Sequence, residues 1–265
     1  MDRALLVGID RYAQAPLRGC VNDIEDVAEH LVSACAFAPG DIRLLADERA
    51  TAAAIRERLF WLTTDLRPGD RILFHYSGHG TRVAARGASG AVVGLSDVIC
   101  PFDFDWSEQR MITDVEFVQI FGRVPADVEA VWISDSCNSG DLSRGPGAAD
   151  DQRVRQLAPP RDVAWRARAA KGGDLAPVDP PENFAFIASC RANQLAADAV
   201  FEGRPAGALT HYLLETLRDR ATAPLGAVVA ETGSKLRAGG YAQEPQLRGS
   251  TDVAARPFLS ASRPR

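Results

Sequence analysis

Short apolar runs that alternate with helix-like stretches constrain this chain more than any other feature of its sequence. The runs lack the polar alternation of a half-exposed strand, and they lie at residues 4–9, 42–45, 71–76, 130–134 and 184–189. Strands of this kind are buried on both faces, and helices between them are typical of a parallel sheet. We therefore predict an α/β fold, a mainly parallel central sheet flanked by helices on both faces. Ligand sites in such folds lie at the carboxyl ends of the strands.

Helical spacing of apolar residues predicts helices at 22–37, 51–64, 114–121, 207–220 and 225–236. Asn22 or Asp23 is the expected N-cap of the first helix, and Thr51 is that of the second. Residues 81–96 are rich in glycine and alanine and are expected to form a surface loop. Residues 143–183 are rich in proline, glycine and arginine, and we expect a long irregular loop, which is usually mobile or functional.

Composition excludes several classes of protein. The chain has 265 residues, of which 46% are hydrophobic and 25% charged, as in an ordinary globular domain. No apolar run reaches the ~18 residues that a membrane span needs, and a net charge of −5 does not favour nucleic-acid binding. The first residues lead into a strand and not into a signal peptide, so we expect a cytoplasmic protein. The five cysteines form no Cys-x-x-Cys pair, which makes a disulfide framework or a structural zinc site unexpected.

Two polar motifs follow the third and fourth predicted strands. Residues 76–81 read Tyr-Ser-Gly-His-Gly-Thr and residues 135–140 read Asp-Ser-Cys-Asn-Ser-Gly. If the two strands are neighbours, His79 and Cys137 face one cleft, where an imidazole can promote thiolate formation and then protonate a leaving amine. The backbone amides of Gly80 and Cys137 are candidate donors to an oxyanion. A cysteine is more often a small core residue, but the position of both motifs at strand ends favours catalysis.

These motifs resemble those of the caspase-like cysteine peptidases of clan CD, in particular the metacaspases and their bacterial relatives. The resemblance continues, in the right order, in ALLVGIDRY at 4–12, GCVND at 19–23, DVICP at 97–101, ITD at 112–114, SCRANQ at 189–194 and GALT at 207–210. It implies one domain of the caspase-hemoglobinase fold over residues 1–265. Within it we expect a large-subunit-like part at 1–142, a flexible linker at 143–183 and a small-subunit-like part at 184–265.

The resemblance also implies the reaction. Cys137 is expected to be the nucleophile of a cysteine endopeptidase that forms an acyl-enzyme, with His79 as its general acid and base. Metacaspases cleave after Arg or Lys. The positions that match their acidic substrate pocket are Asp23 and Asp135, with Cys20 and Ser77 beside them.

Two carboxylates in a partly buried pocket favour a guanidinium or an ammonium group. Other interpretations remain open at this point, because Asp23 could cap a helix and Asp135 could stabilise a local turn.

Calcium binding, which many metacaspases need, is expected to be lost here. The sequence has Ser96-Asp97 and Thr113-Asp114 where the family usually has paired acids, and Arg144 at a position that often carries another aspartate. Calcium affinity follows the number of charged oxygen ligands, so we expect no metal, no other cofactor and calcium-independent activity. An alternative set of acids, which could equally be solvated at the surface, is Asp103, Asp105, Asp114 and Asp141.

The linker is a candidate processing region. Its basic residues are Arg144, Arg153, Arg155, Arg161, Arg166, Arg168 and Lys171. A peptidase directed to arginine could cut itself there, another protease could cut it, or the segment could be a solvated insertion. Expected partners are substrates with basic residues and an activating protease or regulator, with no nucleic acid or membrane, and we expect a monomer. The alternatives to this enzyme are a catalytically silent scaffold or binding module and a clan member with another side-chain preference.

Overall fold

The computed structural model describes residues 1–86, 92–137, 153–169, 181 and 183–259. In chain order its helices and strands are β1 Asp2–Gly8, α1 Cys20–Ser33, β2 Ile42–Ala46, α2 Ala52–Thr63, β3 Arg71–Ser77, β4 Gly80–Arg86, β5 Val92–Ile99, β6 Ile112–Thr113, α3 Asp114–Phe121, β7 Glu129–Asp135, β8 Arg153–Val154, α4 Arg161–Ala169, β9 Phe184–Ala188, β10 Ala197–Phe201, β11 Arg204–Gly207, α5 Ala208–Asp219, α6 Leu225–Ala238, β12 Gln246–Arg248 and α7 Thr251–Ala255. Short 3-10 turns lie at Pro39–Asp41, Asp47–Arg49 and Glu108–Arg110.

A six-stranded sheet forms the centre of the fold, in the order β12-β9-β7-β3-β1-β2. All neighbouring pairs run parallel except β12 and β9. Alternate side chains of β1 and β3 enter two separate apolar clusters, Leu5 and Phe74 with residues of α2 and α3, and Leu6 and Leu73 with residues of α1, α5 and α6. Because both faces are covered by helices, the strands need apolar residues throughout. The predicted fold class is confirmed.

The predicted helices are all present, but the start of α1 differs from its prediction. The helix begins at Cys20, and its N-cap Gly19 has no side-chain bond to the helix. The amides of Cys20 and Val21 are instead bonded by the carboxylate of Asp10, at 2.8 and 3.2 Å. Neither Asn22 nor Asp23 caps this helix, so that prediction was wrong: an acid from the loop after β1 takes the role. Thr51 does cap α2, since its hydroxyl accepts from the amide of Ala54.

The prediction of a surface loop at 81–96 is wrong for the residues of that range that the structure describes. Strands β4 and β5 pair antiparallel there, and β5 also pairs antiparallel with β6, which gives a separate three-stranded sheet. Val83, Val98 and Met111 bury their side chains together on this sheet. Glycine and alanine give a weak strand signal, and the strands form because packing against neighbours outweighs intrinsic preference.

The irregular loop predicted at 143–183 is also corrected in part. Residues 153–169 contain β8 and α4, and β8 joins β10 and β11 in a second three-stranded sheet. Strand β8 has two residues and depends on its partner β10, so no periodicity in its own sequence could predict it. Asp141, Arg144 and Lys171 lie outside the described residues. None of the helices in the described ranges is long and apolar enough to cross a membrane.

Candidate active site

The two polar motifs meet at the carboxyl edge of the central sheet. Strands β3 and β7 are parallel neighbours, and their register pairs Ser77 with Asp135. His79 and Cys137 each lie two residues beyond that pair, so the sheet brings the predicted nucleophile and the predicted base to the same edge. Both side chains are fully buried. Other residues of the protein therefore cover both side chains.

A segment of the chain itself occupies this edge. The carbonyl oxygen of Arg155 accepts from the amide of Gly80 at 3.1 Å and from that of Cys137 at 3.0 Å. The amide of Arg155 donates to the carbonyl of Ala196 at 3.1 Å, and the residue before it, Val154, pairs antiparallel with β10. The two amides predicted as oxyanion donors therefore converge on one backbone carbonyl, which lies next to the thiol-bearing residue.

The imidazole of His79 is held in one tautomer. Its Nε2 lies 2.6 Å from the carbonyl oxygen of Ala15, and because a carbonyl only accepts, Nε2 carries the proton. Its Nδ1 is buried and makes no hydrogen bond within the described part of the chain. The backbone of Arg155 lies close enough to influence the pKa of the ring, and burial lowers that pKa to about 4. The ring is thus neutral at pH 7, with a free lone pair that can accept a proton.

Two tyrosines fix the backbone on which this histidine stands. The hydroxyl of Tyr12 accepts from the amide of His79 at 3.0 Å, and that of Tyr76 donates to the carbonyl of His79 at 2.7 Å. The ring of Tyr12 also packs on the imidazole, with ring centres 4.5 Å apart. A Cβ at Gly78 would come within 2.6 Å of the Tyr12 hydroxyl, so a glycine before His79 is required for this close approach.

The thiol of Cys137 is neutral in this arrangement. Burial raises its pKa well above the ordinary value. Its sulfur contacts the backbone of Ala196 and the thiol of Cys190, which is partly exposed. A neutral thiol beside a neutral imidazole can react if the proton passes to the ring as the sulfur attacks a carbonyl.

A negatively charged pocket receives the side chain of Arg155. Its Nη2 lies 2.7 Å from Oδ2 of Asp23 and 3.1 Å from Oδ1 of Asp198, and its Nη1 lies 3.2 Å from Oδ2 of Asp135. Nη1 also donates to the hydroxyl of Ser77 at 2.7 Å. All five side chains are fully buried. The pocket thus pairs one guanidinium with three carboxylates.

Backbone amides and hydroxyls hold these carboxylates in place. Asp23 accepts from the amide of Gly207 at 2.9 Å, and Asp135 accepts from both the amide and the hydroxyl of Thr210, at 3.0 and 2.8 Å. Asp198 accepts from the amides of residues 18 and 19. A Cβ at Gly207 would overlap the Asp135 carboxylate and the guanidinium of the bound arginine. Burial raises the pKa of Asp135, and the adjacent guanidinium opposes that rise.

The open alternatives for the two predicted acids find no support in these contacts. The carboxylates of Asp23 and Asp135 bond to residues far away in the sequence, and Asp135 accepts from an amide in the first turn of α5. Asp23 does not cap α1, and within the described chain Asp135 makes no local turn bond. The predicted Cys20 is buried beside the pocket, close enough to Arg155 for the charge of the guanidinium to act on its thiol. The structure therefore brings Cys20, Asp23, Ser77 and Asp135 together.

Sequence reasoning missed two residues of the pocket. Asp198 is a lone acid in an alanine-rich run, AADAV, and a fully buried carboxylate there signals a partner. Thr210 lies in the GALT segment that carries part of the resemblance, but nothing local indicates that its hydroxyl reaches Asp135. Arg155 was one of several basic residues in the linker, and only the fold distinguishes it from the others.

The acids considered for calcium have other partners. Asp97 pairs with Arg82 at 2.7 Å, and the carboxylate of Asp114 accepts from the hydroxyl of Ser96. Asp103 accepts from the amide that begins α2. In the described residues there is no group of three or more histidine, cysteine, aspartate or glutamate side chains placed to hold a metal ion. Among the described acids, Asp97 is paired with an arginine and Asp114 with a serine hydroxyl, and independence from calcium stays a prediction.

Comparisons with known proteins identify the family of this chain. The model of the metacaspase, peptidase C14 domain matches residues 2–145. Metacaspase-1 of Arabidopsis thaliana is 30% identical over 97% of this chain and 78% of its own length. Metacaspase-2 of Trypanosoma brucei brucei is 28% identical over 95% of this chain and 74% of its own length.

Two solved structures share the fold. A crystal structure of the protein GSU0716 from Geobacter sulfurreducens superposes with a TM-score of 0.71, at 22% identity, and covers 98% of both chains. Caspase-1 from Spodoptera frugiperda superposes with a TM-score of 0.63, at 10% identity, over 100% of this chain and 91% of its own. The chain belongs to the metacaspase family of caspase-like cysteine peptidases.

Proposed function

We propose that this protein is an endopeptidase that cleaves after arginine, and after lysine to a lesser extent, through Cys137 and His79. One observation carries the proposal. Arg155 lies at the sheet edge in the position expected of the residue before a scissile bond. Its carbonyl accepts from the amides of Gly80 and Cys137, and its guanidinium pairs with three carboxylates.

The proposed reaction starts at the carbonyl of the substrate residue that takes the place of Arg155. Sγ of Cys137 attacks the carbonyl carbon while its proton passes to Nδ1 of His79, and the amides of Gly80 and Cys137 stabilise the oxyanion. The carbon–nitrogen bond then breaks, and His79 gives the proton to the leaving amine. Water adds to the thioester, and its breakdown restores the thiol and releases a carboxylic acid. The neutral imidazole with an unbonded Nδ1 suits the first of these steps.

The pocket geometry supports the preference for arginine. Asp23 and Asp198 contact one terminal nitrogen while Asp135 and Ser77 contact the other, which uses the fork of a guanidinium. Lysine has one ammonium group and can satisfy only part of this set. A neutral or acidic side chain would leave three buried carboxylates without a counter-ion, which is costly.

The same geometry supports self-processing between Arg155 and Gln156. Among the described linker residues considered as cleavage points, Arg155 places its guanidinium in the acidic pocket. Arg153 instead bonds to the carbonyl of Pro16 at the surface. While the segment is uncut it also excludes other substrates, so we propose that cleavage regulates the site. The expected division into residues 1–142, a linker at 143–183 and residues 184–265 is compatible with this proposal. The monomeric state and the cytoplasmic location stay predictions.

Peptides that differ in the residue before the scissile bond test the proposed specificity. We expect the purified protein to hydrolyse an Arg reporter fastest, a Lys reporter about tenfold more slowly, and Asp or Asn reporters at background. The measurement is kcat/KM for each. Faster hydrolysis of the Asp or Asn reporter would contradict the basic preference, and no turnover of any reporter would favour a silent scaffold.

Chelation tests the expected independence from calcium. Because Asp97 is neutralised by Arg82 and Asp114 is engaged by Ser96, we expect hydrolysis of the Arg reporter to be unchanged within twofold between excess chelator and millimolar calcium. Loss of activity on chelation, restored by calcium and not by magnesium, would contradict this expectation.

A further inference from the structure

The bound segment continues beyond Arg155, on the side that would leave with the amine. Gln156 pairs with Gly80 in a parallel bridge. The amide of Leu157 donates to the carbonyl of Gly80 at 3.1 Å, and the hydroxyl of Thr81 donates to the carbonyl of Leu157 at 2.8 Å. The start of β4 thus holds the leaving side by its backbone.

The side chain of Leu157 is buried as well. It is 8% exposed and belongs to the apolar cluster that packs between the central sheet and α2 and α3. The next residue, Ala158, is exposed. The apolar contact is therefore confined to the second position after the bond that follows Arg155.

The acyl side is held differently. Arg153 and Val154 pair with Asp198 and Ala197 through the backbone, and the side chain of Arg153 is exposed, with its guanidinium on the carbonyl of Pro16. Before the arginine, the site contacts the segment through its backbone. After the bond, it contacts the backbone and also buries the apolar side chain of Leu157.

We propose that this site selects substrates on both sides of the scissile bond and requires a large apolar residue at the second position after the basic one. The proposal rests on the proposed function, because it assigns the place of Leu157 to a substrate residue. Apolar burial there adds binding energy that a reporter ending at the arginine lacks. Such energy raises kcat/KM when the group is held in the transition state.

Internally quenched peptides that copy residues 152–160 provide the test, with the full-length wild-type protein as enzyme. We expect replacement of the leucine that corresponds to Leu157 by glycine or aspartate to lower kcat/KM by about tenfold to a hundredfold. The matched control changes the next residue, corresponding to the exposed Ala158, to aspartate, and should have an effect of less than threefold. All peptides keep both arginines, those corresponding to Arg153 and Arg155, and mass spectrometry of the products verifies that the cut follows the second. Binding in the acidic pocket is then constant across the series.

A variant of the protein gives a second measurement. Thr81→Val removes the bond to the carbonyl of Leu157 with little change in shape, and should lower kcat/KM for the long peptide by a larger factor than kcat/KM for a reporter that ends at the arginine.

The outcomes separate the two proposals. Equal cleavage of the leucine, glycine and aspartate peptides, or equal loss on both substrates in Thr81→Val, would overturn the selectivity after the bond and leave the arginine preference standing. Failure of the wild-type protein, once it is cut after Arg155, to cleave any arginine peptide would overturn the proposed function itself.

Discussion

Replacing Cys137 by alanine is expected to lower kcat for an arginine reporter at least about 10⁴-fold, the scale of losing a catalytic nucleophile. The sulfur of Cys137 contacts the backbone of Ala196. The backbone amide of Cys137 donates to the carbonyl of Arg155. Alanine keeps that amide and removes only the sulfur. The folded structure should therefore survive, which circular dichroism and thermal unfolding would verify, while steady-state kinetics report the loss.

Cys190 offers a matched control for this change. Its thiol contacts that of Cys137 and is partly exposed, but its own backbone amide makes no bond to Arg155. We expect Cys190→Ala to retain kcat within about tenfold. If instead Cys190→Ala abolished turnover and Cys137→Ala retained it, the wrong sulfur would have been assigned.

Replacing Arg155 by methionine is expected to destabilise the uncut chain by about 3–5 kcal/mol, the usual cost of removing one partner from a buried ion pair. The change leaves the carboxylates of Asp23, Asp135 and Asp198 buried without their counter-ion. The comparison is made in a Cys137→Ala background, which prevents cleavage, and the free energy of unfolding is measured in urea at pH 7.5.

Arg153→Met is the control for that measurement. Arg153 is exposed, two residues earlier in the same segment, and bonds one carbonyl, so a change below about 1 kcal/mol is expected. Part of the cost in Arg155→Met comes from the ionised carboxylate of Asp135, whose pKa is raised by burial. That part should shrink as the pH falls and Asp135 becomes protonated. Equal stability of the two variants at pH 7.5 would contradict the assigned pocket.

The sheet was predictable because its signal is local. Apolar runs such as residues 71–76 and 130–134 are buried on both sides of the sheet, and no partner is needed to recognise them. The residues at their ends follow from one topological step, that β3 and β7 are neighbours. That step places His79 and Cys137 at one edge, and the resemblance to metacaspases supplied the acidic positions.

The features that could not be predicted from the sequence depend on contacts between residues far apart in the chain. Strand β8 exists because β10 lies beside it, and Asp198 enters the pocket only when the segment after β9 folds over the sheet edge. The capping of α1 by Asp10 joins residues ten positions apart, across the loop between β1 and α1. The selection of Arg155 from several linker arginines is likewise a property of the folded chain.

The position of self-cleavage tests the central claim most directly. Purified wild-type protein and the Cys137→Ala variant are incubated in parallel, and intact mass with N-terminal sequencing locates any cut. We predict a new N-terminus at Gln156 in the wild type and an intact chain in the variant. A wild type that hydrolyses arginine reporters but is cut at another linker arginine, or at none, would contradict the assignment of Arg155 as a bound substrate.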